Sequence, residues 1–291
     1  MANLELTAKD IASDQLEVQT SDGWTLKANC HAPPTGQIKA IILIIPAMGS
    51  HSRPARFMAT ALAKMGNLTV ALDPRGHGQS TPHPKRGVDF GFDHILQFDL
   101  PAVIKSLQER HPTLPVFLIG HSLGGHLSAI YAAENLTEIK GVITLATGHL
   151  HSKIIGRPSL LLFFAFALIS KLLGYVPGQH FGWGSPIAHK QVMDWAKWGI
   201  TGILRGTDGR NLLPALAASK TPTVCIGFTD DLRLAPPKAV RAFSNLMPAD
   251  TTSYWEIKPS DVGAEKLDHF DHLRTGARLW PRIDAWINDQ I

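Results

Sequence analysis

The chain has 291 residues, 44% of them hydrophobic and 18% charged, with a formal net charge of +4. That length supports one large core or two small ones, and that composition excludes a disordered polymer. The Lys and Arg are scattered and the longest basic cluster is P-K-R at 84–86, so no nucleic-acid-binding stripe is expected, while an anionic substrate or acidic surface stays open.

Taken in chain order, L-E-V-Q-T from Leu16 and W-T-L-K-A-N-C-H from Trp24 read as two half-buried strands joined at Ser21-Asp22-Gly23, a hairpin signal. A-I-I-L-I-I at 40–45 is a continuous apolar run, as a strand buried on both faces requires. Residues 55–65 read as helix, 68–72 as strand and 94–109 as helix. Val116–Ile119 is a strand, 123–134 a helix and Ile139–Leu145 a strand. This alternation predicts an α/β fold with a mostly parallel central sheet flanked by helices. Residues 147–210 break the rhythm with an apolar run, a Gly- and Pro-rich stretch and the Trp-rich M-D-W-A-K-W. They read as a helical cap insertion on a core of 1–146 and 211–291. Strands at 223–228 and 251–257 and helices at 237–246 and 275–289 complete the core.

The apolar stretch Ser159–Ser170 holds about 12 residues before Lys171, short of the roughly 18–20 that span a bilayer. A buried or interfacial helix is expected, with loose contact of Leu160–Ile169 on membrane lipid as a further expectation. The N-terminal M-A-N-L-E-L-T-A-K-D has no basic region followed by an apolar one, so no signal peptide is expected and the location is read as cytoplasmic. Cys30 and Cys225 each sit in an apolar strand-like run and read as buried free thiols.

G-H-S-L-G at 120–124 fits G-x-S-x-G, placed between a buried strand and an apolar helix. A turn that tight strains the serine, and residues two places either side must be small to avoid collision. Ser122 is thereby the candidate nucleophile at a helix N-terminus, where backbone N–H groups favour a developing oxyanion. A serine hydroxyl needs a base, normally a histidine oriented by a carboxylate. With this elbow the chain order is serine, acid, histidine. E-K-L-D-H-F-D-H-L-R at 265–274 supplies His269 and His272. His269 is preferred because it comes first in the loop. After T-V-C-I-G-F stand Asp230 and Asp231. Counting from Gly227 favours Asp230, while counting back from Pro236 favours Asp231, which is taken as the first choice. Two backbone donors are expected for the oxyanion hole: Leu123, directly after the serine, and Met48, with Ala47 second, in the loop I-I-P-A-M-G-S-H.

The pieces S-D-G-W-T-L, L-D-P-R-G-H-G-Q-S, G-H-S-L-G-G and F-T-D-D-L-R-L-A-P-P, in that order, resemble the α/β-hydrolase superfamily over nearly the whole chain. The cap sequence G-Y-V-P-G-Q-H-F-G-W-G-S-P followed by D-W-A-K-W is similar to a bacterial branch of unassigned substrate, esterase- or lipase-like in kind. The resemblance implies a structural role for Asp73, Arg75 and the glycines of D-P-R-G-H-G-Q-S. The sequence departs from the common pattern at Pro46-Ala47, where many members carry His-Gly, and by one extra residue before Pro236.

Together these features predict a serine hydrolase acting on a small-molecule carboxylic ester through an acyl-enzyme. An apolar acyl group suits a roof made of Leu160–Ile169 with Trp183, Trp195 and Trp198. Acyl transfer with the same triad, and a non-catalytic binding protein on the same fold, are the alternatives. No cofactor is expected. The spacings His149-x-His151 and D-H-F-D-H are ligand-like but lack supporting context, so no metal is expected either. His121 reads as a packed neighbour of the elbow and His77 as structural. The sequence leaves the oligomeric state open.

Overall fold

In the computed structural model, residues 13–34, 36–135, 138–206 and 208–291 are described, and the N-terminal decapeptide considered above lies outside them. Strands β1 (Ser13–Gln19), β2 (Thr25–His31), β3 (Ile41–Ile45), β4 (Leu68–Asp73), β5 (Val116–His121), β6 (Ile139–Leu145), β9 (Thr223–Phe228) and β10 (Thr252–Ile257) form one sheet. Between β6 and β9 lies a separate two-stranded pair, β7 (Tyr175–Val176) and β8 (Ile187–Ala188). The order across the main sheet is β1-β2-β4-β3-β5-β6-β9-β10. The β1/β2 and β2/β4 pairs are antiparallel, while β4/β3, β3/β5, β5/β6, β6/β9 and β9/β10 are parallel.

Burial follows from that order. β3, β4, β5 and β9 lie inside the sheet and every residue in them is buried. β10, at the edge, carries a mixed pattern. This is why A-I-I-L-I-I has no alternation whereas L-E-V-Q-T has it. The helices used below are α1 (Arg56–Lys64), α2 (Leu100–Arg110), α3 (Leu123–Glu134), α4 (Ser159–Leu173), α5 (His189–Thr201), α6 (Pro237–Ser244) and α7 (Trp280–Asn288).

Two helices expected as single pieces are divided. The stretch read as 94–109 begins with a short helical turn at Phe92–His94 and a π-helical stretch at Ile95–Asp99 before α2. The closing helix read as 275–289 is a turn at His272–Thr275, then Gly276, then α7. A Cβ at Gly276 would lie 2.5 Å from the Trp280 indole nitrogen and 2.6 Å from the His272 carbonyl, so the chain passes too close there for a larger residue. Cys225 is buried and Cys30 half-buried, and both are free thiols.

Candidate active site

The parallel strands all point their C-terminal ends to one edge, where ligands of open α/β sheets bind. β3 runs into Pro46–Ser52, β5 into Ser122, and β9 into Thr229–Asp231. The segment after β10, which includes a short helical turn at Pro259–Val262, leads to His269.

Ser122 has φ 53°, a left-handed conformation that a residue with a side chain seldom adopts. Only one other described non-glycine residue does so: Ala146, at the end of the adjacent β6. The elbow is held by Ser122 N–H donating to Leu145 O (2.9 Å) and by Gly125 N–H donating to Ser122 O (3.0 Å). The small neighbours are a steric necessity. A Cβ on Gly120 would lie 2.3 Å from the Gly124 carbonyl oxygen and from the Gly125 backbone. On Gly124 it would lie 2.1 Å from Ile45 O. Gly125, which the G-x-S-x-G pattern does not cover, is equally constrained, with Thr147 Oγ1 only 2.0 Å from such a Cβ. The close approach at Gly124 brings the N-terminus of α3 against the β3 exit loop. Leu123, Met48 and Ala47 therefore line one cavity together with Ser122 and His269.

His269 Nδ1–H donates to Asp231 Oδ2 at 2.6 Å, and both residues are buried. The other carboxylate oxygen of Asp231 accepts N–H bonds from Leu234 and Ala235, each 3.1 Å. Burial by itself would raise the Asp231 carboxyl, but the His269 hydrogen bond and charge and these two amides outweigh it and hold the group below its ordinary value. Asp230 turns away. Its Oδ2 accepts the Leu267 N–H at 3.3 Å and its Oδ1 the Thr229 hydroxyl at 3.3 Å, which ties the acid loop to the histidine loop.

Three further histidines surround this pair. His121 Nε2–H donates to the His269 carbonyl at 2.9 Å, and its ring centroid is 4.8 Å from those of His269 and His272. His272 stacks on Phe228 at 4.5 Å. His126 donates to Gly148 O at 2.9 Å and packs edge-on against Trp198. Burial pushes His126 and His272 down to about 3 and holds His121 well below the ordinary range. All three are neutral at pH 7, so none places a fixed positive charge beside His269. His126 also forms part of the cavity wall, a position that its place one helical turn after Ser122 in the sequence could have revealed.

The cavity holds about 150 Å³. Beyond the residues named, its walls include Leu150, Phe163, Trp183, Trp195, Leu234 and Phe270 together with the cation Arg233, and among the described residues no carboxylate side chain lines it. The expected roof is present in part. Phe163 and Phe166 on the inner face of α4 meet Trp195 (4.6 Å) and Trp183 (4.8 Å). Trp183 in turn packs on the β3 exit loop, where a Cβ at Gly49 would lie 2.9 Å from it. Trp198 is not part of the wall: it is fully buried behind His126. Leu161, Phe164 and Leu168 do not face the serine either; they are exposed on the outer side of α4.

The segment D-P-R-G-H-G-Q-S is a scaffold beside the site. Asp73 accepts the N–H groups of Ser52 (2.7 Å) and Gln79 (2.8 Å). Arg75 is fully buried and pairs with Asp99 (2.6 Å) and Asp22 (2.8 Å). His77 donates to Arg75 O at 2.8 Å and is buried away from the cavity. His149 and His151 lie with ring centroids 6.2 Å apart. Among the described residues, no group of three or more His, Cys, Asp or Glu is arranged to hold a metal ion.

Residues 36–185, just over half of the chain, match the model of the α/β-hydrolase family described as serine aminopeptidase, S33. The chain belongs to this family. The human monoglyceride lipase is 35% identical over 113 residues, which is 39% of this chain and 36% of that protein. The monoacylglycerol lipase of Mycolicibacterium smegmatis is 26% identical over 42% of this chain and 40% of its own length. The matches thus span well under half of the length of these curated relatives. Among solved structures, a thermostable carboxyl esterase from Bacillus coagulans superposes with TM-score 0.69 over 96% of this chain and 98% of its own, at 19% identity. An esterase of Pyrococcus furiosus gives 0.62 over 100% and 95%, at 17%. At these identities the structural likeness is a statement about the fold, which is that of the α/β-hydrolases.

Proposed function

We propose that this S33-family chain hydrolyses a carboxylic ester with an apolar acyl group, using Ser122, His269 and Asp231. In this reading Ser122 Oγ attacks the ester carbonyl and His269 takes its proton. Asp231 fixes the ring with Nδ1–H toward itself, leaving Nε2 for the proton in transit. The N–H groups of Leu123 and Met48 hold the oxyanion. His269 then protonates the departing alcohol, and water, activated by the same ring, releases the acid. Residues 147–210 act as a cap that keeps bulk water from the acyl-enzyme.

The observation that carries the substrate class is the cavity wall. Most side chains around Ser122 are aromatic or aliphatic, the charged side chain that joins them is the cation Arg233, and no carboxylate among the described residues lines the cavity to receive a substrate ammonium group. That favours an uncharged ester over a peptide with a free N-terminus, although the family takes its description from an aminopeptidase. The human relative is named as a monoglyceride lipase, which agrees with an acyl substrate. At about 150 Å³ the cavity is smaller than the ~300 Å³ where pockets for drug-sized ligands begin, so a long acyl chain would extend beyond it.

The test is fluorophosphonate labelling of the wild type and Ser122→Ala, followed by hydrolysis of p-nitrophenyl esters of increasing chain length. Labelling lost in Ser122→Ala, with turnover rising from acetyl to longer acyl groups, is the expected result. A folded wild type that neither labels nor turns over any ester would overturn the reading in favour of a binding protein. Transfer of the acyl group to an added alcohol in preference to water would mark an acyltransferase.

A further inference from the structure

Helix α4 carries large apolar side chains on both its inner and its outer face. Its inner face, Phe163, Phe166 and Ser170, is buried against the rest of the cap. At 100° per residue the opposite face holds Leu161, Phe164, Leu168 and Leu172, and these are 77%, 58%, 57% and 63% exposed. On a surface helix this face is normally polar. Clusters of exposed large apolar side chains mark an interaction surface, whereas scattered single ones do not.

Two observations identify the occupant. The first is charge. Between Glu138 and Asp194 the sequence contains no Asp or Glu, yet it carries Lys140, Lys153, Arg157, Lys171 and Lys190. Lys153 and Arg157, just before α4, and Lys171, near its end, are exposed and have no carboxylate partner among the described residues. Arg86 is also exposed and donates to Leu172 O at the C-terminal end of the helix (2.7 Å), which brings a further cation to that end. The second is continuity with the cavity. Leu162 and Phe270 line the cavity and are also 46% and 45% exposed, so the apolar surface runs from the outside of α4 into the chamber beside Ser122. An apolar face at least four residues long, collared by unpaired cations and open toward an apolar chamber, matches an anionic bilayer surface.

We infer that the outer face of α4 docks on the surface of an anionic lipid bilayer, with Leu161, Phe164, Leu168 and Leu172 among the acyl chains and Lys153, Arg157 and Lys171 at the phosphates. The helix lies in the interface plane. No helix among the described residues is long and apolar enough to cross a membrane. This goes beyond the hydrolase reading, and because vesicle binding is measured without turnover, either can fail while the other stands.

The experiment is co-sedimentation of the full chain with vesicles of phosphatidylcholine alone and of phosphatidylcholine mixed with phosphatidylglycerol. Wild type should bind the mixed vesicles more tightly, and the preference should shrink as salt is raised. A Leu161→Ser/Phe164→Ser/Leu168→Ser variant should bind mixed vesicles about ten-fold or more weakly. It should still react with fluorophosphonate at the wild-type rate, since these side chains do not line the cavity. A Lys153→Gln/Arg157→Gln/Lys171→Gln variant should lose ~5-fold per cation at low salt and with it the preference for anionic lipid. Equal binding to both vesicle types would overturn the proposal. So would absence of binding by wild type, or a wild-type dimer in solution that the apolar variant converts to monomer, which would assign the face to a second copy of the chain.

Discussion

The imidazole of His121 donates its Nε2–H to the main-chain carbonyl of His269, 2.9 Å away and 148 residues further along the chain. The bond joins the turn at Ser122 directly to the loop that carries His269, independently of the side-chain pair His269–Asp231. Under the proposed mechanism His121 is a positioning residue. His121→Phe should lower kcat about ten-fold with KM nearly unchanged, because a small displacement of the base affects the transition state more than ground-state binding. His121→Gln, whose amide can still donate, should recover part of the loss. Steady-state kinetics on a p-nitrophenyl ester decide it; a rise in KM alone would show that His121 acts on binding instead.

Asp230 and Asp231 separate cleanly in the structure, so they should separate in kinetics. Asp231→Asn should reduce kcat/KM by ~10⁴-fold, through loss of the carboxylate that orients the ring. Asp230→Asn removes only acceptors for Leu267 N–H and the Thr229 hydroxyl. It should leave kcat/KM within about three-fold of wild type. Parallel assays of the two variants are sufficient.

Stability should depend on pH through the buried neutral histidines. His126 and His272 are pushed down to about 3, from ~6.5 in an unfolded chain. Below pH ~6.5 the unfolded state binds protons that the native state refuses, so stability falls as pH falls and the loss continues down to pH ~3. Above that window these groups contribute no slope. Each contributes up to ~1.4 kcal/mol per pH unit within it. Replacing His272 by Phe removes one such group and should flatten the decline of denaturation midpoint between pH 6 and 4. An unchanged slope would mean that His272 takes up a proton in the native state.

Arg75 and Asp99 form a fully buried pair. Arg75→Met would leave the Asp99 carboxylate uncompensated and should destabilise the fold by ~3–5 kcal/mol. Arg75→Met/Asp99→Leu should recover part of this, since it removes the fully buried stranded charge and leaves only Asp22, which reaches solvent. Urea denaturation of the three proteins tests this, and equal losses in the single and double variants would contradict it.

The frame and the elbow were legible in the sequence because each rests on a local rule. Unbroken apolar runs gave the inner strands, and G-H-S-L-G between a strand and a helix gave Ser122. Four features were not legible. The choice between Asp230 and Asp231 depends on how the chain turns after Phe228, which the sequence does not encode at the level of one residue. The role of Gly125 follows from Thr147 lying against it, a contact made only in the folded sheet. The outer face of α4 could not be distinguished from a buried one because Leu161 and Phe163 look alike until their neighbours are known. Trp198 was misplaced for the same reason: it shares α5 with Trp195 but points behind His126 instead of toward the serine.

The order of strands has a consequence in time. Ser122 leaves β5 and Asp231 follows β9, which reaches β5 only by way of β6. His269 lies another 38 residues on. None of these three can meet until strands far apart in the chain have paired, and such distant pairings close slowly. During refolding, helix content should therefore return before Ser122 becomes reactive. With Ser122 as the proposed nucleophile, the rate at which fluorophosphonate labelling reappears would then time the closure of β6 against β9, a clock for the final assembly of the sheet.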